Sequence, residues 1–143
     1  MCLYSLQESP LIAENDITVY KVVQFITDEN RSLQIGKPFC YYIGAFQDEY
    51  VYTMDSVIDS ELSRENPFYQ DGFASVIHKG FHSLAIHDEA VYLMDHMKAM
   101  KWFSPNAKPR ILKCTIPKGS EYYVGDFDNK VSYASNKIIL HSV

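Results

Sequence analysis

Lys79-Gly80-Phe81-His82-Ser83-Leu84 is the corner on which this chain turns, because a strand-rich first half hands over there to its one long helix. Residues 73–78 before it read as a strand. Residues 87–103 after it read as a helix, in which Ala90, Leu93, Met94, Met97 and Met100 recur at spacings of three and four and lay one apolar stripe against a sheet. Asp88 and Glu89 begin that helix and Lys98 and Lys101 end it, as the helix dipole favours, while Ser104-Pro105 stops it. Gly80 supplies the positive φ or the close backbone approach that a strand end requires.

Outward from the corner, residues 17–25 carry the strongest strand signal, with β-branched and aromatic side chains at Ile17, Val19, Tyr20, Val22, Val23 and Phe25. Apolar residues on both parities predict a central strand covered on both faces. Lys21 is the exception, and its ammonium has to reach solvent, a ligand or a carboxylate. Residues 39–46 and 49–54 hold four tyrosines around Gln47-Asp48 and predict an aromatic hairpin. Residues 55–72 predict an exposed excursion that begins with a helical turn over 55–62. After a loop at 106–109 comes a strand at 110–116, then the tight turn Pro117-Lys118-Gly119-Ser120. Strands at 121–125 and 137–143 close the chain, joined by a polar loop at 126–136. Strands, one long helix, then strands make an α+β fold, a single domain over 1–143 with a largely antiparallel sheet.

Composition narrows the class. A chain of 143 residues suits one core, and 47% hydrophobic residues with 11 Tyr and 8 Phe describe a folded protein rather than a disordered one. Tyrosines also suit ligand-gripping surfaces, since the ring is rigid and its tip polar. The net charge of -5 with no basic run argues against nucleic acid and anionic membranes as partners. Cys2, Cys40 and Cys114 are odd in number and far apart, which argues against a disulfide framework and for a reducing compartment. No apolar stretch approaches the roughly 20 residues of a membrane span, and residues 1–8 lack the pattern of a signal peptide, so the expected setting is cytoplasmic.

Among chemistry-bearing residues, Cys2 exposed by loss of Met1 could act as an N-terminal nucleophile, but nothing near it builds an oxyanion site. His78, His82, His87, His96 and His141 do not form the helical pair with a third ligand that hydrolytic zinc uses, so no metal is expected. His82 and Ser83 are adjacent on a strand and point to opposite faces, which excludes a hydrogen-bonded dyad between them. No catalytic residue and no cofactor follow from these patterns. Tyr20, Lys21, His82, Ser83, Tyr122 and Tyr123 form instead a candidate ligand-binding set, if the first strand lies beside the corner. A cation for phosphate, hydroxyls for ribose and rings for a base suit a nucleotide-type small molecule. Neither a Walker-type nor a Rossmann-type glycine loop is present.

Two resemblances add to this reading. Ile17-Thr18-Val19-Tyr20-Lys21-Val22, Gly80-Phe81-His82-Ser83, and the run from Cys114-Thr115-Ile116-Pro117-Lys118-Gly119-Ser120 through Tyr133-Ala134-Ser135-Asn136-Lys137-Ile138-Ile139 resemble a family of small uncharacterised proteins of gut bacteria and their phages. That resemblance implies a phage or mobile-element setting, where a nucleotide binder would sequester a host defence signal. More distantly, Tyr20-Lys21, His82-Ser83 and Ile116-Pro117-Lys118-Gly119-Ser120 resemble successive landmarks of the ADP-ribosyltransferase fold. The glutamate ahead of that fold's closing strand has no counterpart in Ser135-Asn136-Lys137-Ile138, and Glu121 lies too early, so the resemblance implies an ADP-ribosyltransferase-like fold with little or no transfer activity. The alternatives are an interaction module that covers a host protein with its tyrosine hairpin and the 55–72 excursion, as a homo-oligomer or alone, and an active transferase using another acid.

Overall fold

A computed structural model describes residues 3–5, 7, 9–28, 39–44, 51–65, 75–77, 79–103, 105 and 107–142. Thirteen strands among them join one sheet. They are β1 (Leu3–Ser5), β2 (Leu11–Ile12), β3 (Ile17–Asp28), β4 (Phe39–Gly44), β5 (Val51–Tyr52), β6 (Val57–Asp59), β7 (Arg64–Glu65), β8 (Ser75–Ile77), β9 (Phe81–Leu84), β10 (Ala107–Ile116), β11 (Glu121–Phe127), β12 (Lys130–Ser135) and β13 (Lys137–Leu140). The single helix among the described residues, α1, spans His87–Ala99. The sheet runs β6-β13-β10-β3-β9-β12-β11-β1-β8-β7, with β2 on β11, β4 on β3 and β5 on β4. Its ladders are antiparallel, so the α+β expectation with a largely antiparallel sheet holds.

β3 is the axis of this arrangement. One edge pairs along its length with β10, from Ile17 opposite Ile116 to Ile26 opposite Ala107. The other edge is shared by β9, through Tyr20 opposite Leu84, and by β4, from Val23 onward. Both of its faces are covered, as the two parities require. Val19 and Val23 pack with Phe81, Leu112, Cys114, Ile116, Ile138 and Leu140 in one core cluster. Tyr20 and Val22 pack on the opposite face with Leu84 and with Ala90, Leu93 and Met97 of α1.

Several expected boundaries move. Residues 55–62 form no helical turn: Val57–Asp59 is instead an edge strand, paired with β13 and anchored by buried Ile58. Residues 106–109 were expected as a loop, yet β10 begins at Ala107. Its Pro109 is tolerated because only β3 flanks that position among the described residues, so the missing N–H interrupts no second ladder. The largest change is at 126–136, where a hairpin replaces the polar loop. Asp128 and Asn129 turn it with φ of 51° and 62°, the two positive values of a type I′ turn, and β12 follows.

The helix also ends early, at Ala99 rather than 103. Lys101 adopts φ 57°, its N–H reaches Lys98 O at 3.1 Å, and the Trp102 N–H reaches Met97 O at 3.1 Å. This is the Schellman closure that glycine usually makes. A left-handed lysine costs about 1 kcal/mol or more, so Lys101→Gly is expected to stabilise the protein by about 0.5–1 kcal/mol in urea unfolding; an unchanged or lower midpoint would refute that account of the stop.

Among the described residues no helix is long and apolar enough to cross a membrane. The tyrosine hairpin is present as β4 and β5, and its turn at Gln47-Asp48 lies outside the described residues, as do residues 66–72 of the excursion.

Candidate functional site

Strand alternation and register decide which expected site residues meet. Tyr20 opposite Leu84 makes Lys21 the neighbour of Ser83, and Ser83 stands opposite Tyr133 on β12. These three side chains therefore form a row across β3, β9 and β12, on the face that carries Phe81 and the first core cluster. Tyr122 joins that face from β11, its ring centroid 5.8 Å from that of Tyr133 at 51°. Tyr20, His82 and Tyr123 point the other way. Tyr20 packs toward α1, with its ring edge-on to His87 at 5.3 Å, and Tyr123 is buried with Ile77 and Ala134, the residue opposite His82. The sheet thus brings together Lys21, Ser83 and Tyr122 and separates them from Tyr20, His82 and Tyr123. One hollow shared by all six is not what this topology builds.

Lys21 is half-buried. Its Nζ donates to the backbone carbonyl of His82 at 2.7 Å and lies 5.5 Å from the centroid of the Tyr52 ring. Neither contact neutralises an ammonium, and among the described residues no carboxylate pairs with it. Beside it Ser83 is 1% exposed, and its Oγ has no hydrogen-bond partner among the described residues. A buried hydroxyl left this way costs about 1–3 kcal/mol, which a ligand acceptor would recover. Burial, and next the neighbouring Tyr122 phenol, push the Tyr133 hydroxyl above its ordinary pKa, so it stays a neutral donor. The Cys114 thiol, on β10 and on the same face, is pushed up to about 12 by burial, against a smaller opposing pull from Lys21.

At the Tyr122 end the face runs into a groove of about 330 Å³ lined by Leu11, Ile12, Glu14, Asn15, Ile17 and Tyr122. This lies at the small end of ligand-binding cavities. Its lining is about equally polar and apolar, with Leu11, Ile12 and Ile17 beside the Glu14 carboxylate and the Asn15 amide, and no cation lines it among the described residues. The turn that carries it is pinned by Ala13 N–H to Ser120 O and Gly119 N–H to Ala13 O, both 2.8 Å, and by Lys118 N–H to Asp16 Oδ1 at 2.8 Å.

Tyr133 is the member sequence reasoning missed, because 126–136 read as a loop. The Asp128-Asn129 pair was its available signal, since Asp and Asn tolerate the left-handed backbone that a two-residue hairpin needs. Among the described residues no three His, Cys, Asp or Glu side chains gather as a metal site would need; Cys2 and His78 lie outside them. In comparison with known proteins, the chain matches no protein-family model, no curated protein and no solved structure.

Proposed function

We propose that this protein is a non-catalytic binder of a nucleotide-type small molecule, held on the face that carries Lys21, Ser83, Tyr133 and Tyr122. The observation that carries this reading is the half-buried Lys21 ammonium, held by a carbonyl and a ring face with no described carboxylate to pair it, next to a buried hydroxyl without a partner among the described residues. A cation and a hydroxyl side by side suit a phosphate oxygen, and the adjoining tyrosine pair suits a base or sugar. These groups bind and orient. No acid is set against a nucleophile in the Lys21 row, which favours capture over turnover. An ADP-ribosyltransferase-like fold lacking its glutamate is consistent with this, and so is sequestration of a nucleotide signal.

Thermal shift with NAD, ADP-ribose and a cyclic dinucleotide tests it. A ligand at a hundred times its dissociation constant adds about 2.7 kcal/mol, or roughly 5–10 °C for a chain of this size. At least one is expected to give such a rise, and Lys21→Met is expected to remove it. No rise with any of them, or a rise that Lys21→Met leaves intact, would overturn the reading.

A further inference from the structure

The Lys21 row and the Tyr122 groove have opposite chemistry but are continuous through the Tyr122–Tyr133 ring contact. At one end stand an ammonium and a buried hydroxyl with no partner among the described residues. At the other end Leu11, Ile12 and Ile17 stand with the Glu14 carboxylate and the Asn15 amide in a lining about equally polar and apolar, with no cation among the described residues. A phosphate would be repelled by Glu14. A base or ribose would instead donate its N–H or O–H groups to that carboxylate while its flat surface lies on the Tyr122 ring.

From these features we infer that the site holds its ligand in one direction, with the phosphate at Lys21 and Ser83 and the nucleoside in the groove between Tyr122 and Glu14. This rests on the nucleotide-binding reading and sharpens it to a ligand class. Lys21 Nζ reaches over to the His82 carbonyl on β9, and Tyr122 stands two strands further on, on β11. Two inter-strand spacings come to about 10 Å, so the ligand must carry its anionic group about a sugar's length away from its ring. Inorganic phosphate fills only one end, and a nucleoside only the other. A nucleoside 5′-phosphate, or a larger molecule containing one, fills both.

Isothermal titration of the full chain with AMP, GMP, CMP, UMP, the four nucleosides and inorganic phosphate tests this. At least one monophosphate is expected to bind ten-fold or more tighter than its own nucleoside. Lys21→Met should bring that monophosphate down to the affinity of its nucleoside. Glu14→Gln and Tyr122→Leu should weaken nucleoside and monophosphate by one common factor and leave inorganic phosphate unchanged. Glu14 is at an exposed rim, so Glu14→Gln keeps the test informative if Tyr122→Leu fails to fold. A monophosphate that depends on Lys21 but ignores Glu14→Gln and Tyr122→Leu would overturn the groove assignment while the nucleotide-binding reading stands. Absence of binding by all four monophosphates would overturn the groove assignment, and the nucleotide-binding reading falls with it only if NAD, ADP-ribose and the cyclic dinucleotide also fail to bind.

Discussion

Replacing Leu112 by alanine is expected to lower stability by about 2–5 kcal/mol, more than any single change at the protein surface. Leu112 is fully buried on β10, directly opposite Lys21 on β3, and packs in the cluster of Val19, Val23, Cys114, Ile138 and Leu140. β3 and β13 flank β10 and pin its backbone, so the strands cannot close over the vacated space and the cavity cost adds to the lost burial. Its neighbour Lys113 is exposed, and Lys113→Ala should change stability by less than about 0.5 kcal/mol. Urea unfolding of the two variants makes the comparison, with the slope expected to match wild type so that the midpoint alone reports the change. A loss below about 1 kcal/mol at Leu112 would mean that this face is not packed against the sheet as described. The same substitution also opens space beside the Lys21 stem, which ties the rigidity of the row to the core beneath it.

What the sequence made legible, and what it hid, follows from where the driving forces lie. β3 was readable because both parities carry β-branched or aromatic side chains, which happens only in a strand buried on two faces. The stripe of α1 was readable for the same reason, and Ala90, Leu93 and Met97 are its buried residues. β12 was not readable, because its polarity is inverted: Lys130 and Ser132 are buried while Val131 is 46% exposed. The Lys130 ammonium tolerates this by donating to Asp128 O at 3.0 Å and lying 4.7 Å from the Tyr92 ring, contacts supplied by the hairpin turn and by α1. The end of α1 was hidden by a lysine doing the work of a glycine. At the site, alternation correctly parted His82 from Ser83, and the same rule parts Tyr20 from Lys21 and Tyr122 from Tyr123. Register then decided which of the separated halves lie side by side, and register is set by tertiary pairing and not by any one strand's residues.

Raising the pH from 9 to 11 is expected to remove about 2–3 kcal/mol of the stability that Cys114 contributes, and Cys114→Ala should be spared that loss. In the folded protein the thiol titrates near 12, against 9.0 for an ordinary cysteine, because burial on β10 disfavours the thiolate more than the nearby Lys21 favours it. Below pH 9 both folded and unfolded chains hold the proton, so the contribution is fully present. Between 9 and 12 the unfolded chain releases it and the folded chain does not, and stability falls by about 1.4 kcal/mol for each pH unit, about 4 kcal/mol in all. Tyrosines and lysines titrate over the same range, but they do so in both proteins and cancel in the difference. Urea unfolding of wild type and Cys114→Ala at pH 8, 9, 10 and 11, each carrying Cys2→Ser and Cys40→Ser, isolates the thiol. The small cavity left by alanine is a constant offset, whereas the titration is a slope. A gap between the two proteins that stays constant across the series would show that the thiol is reached by solvent, and that the face beneath Lys21 is more open than its packing implies.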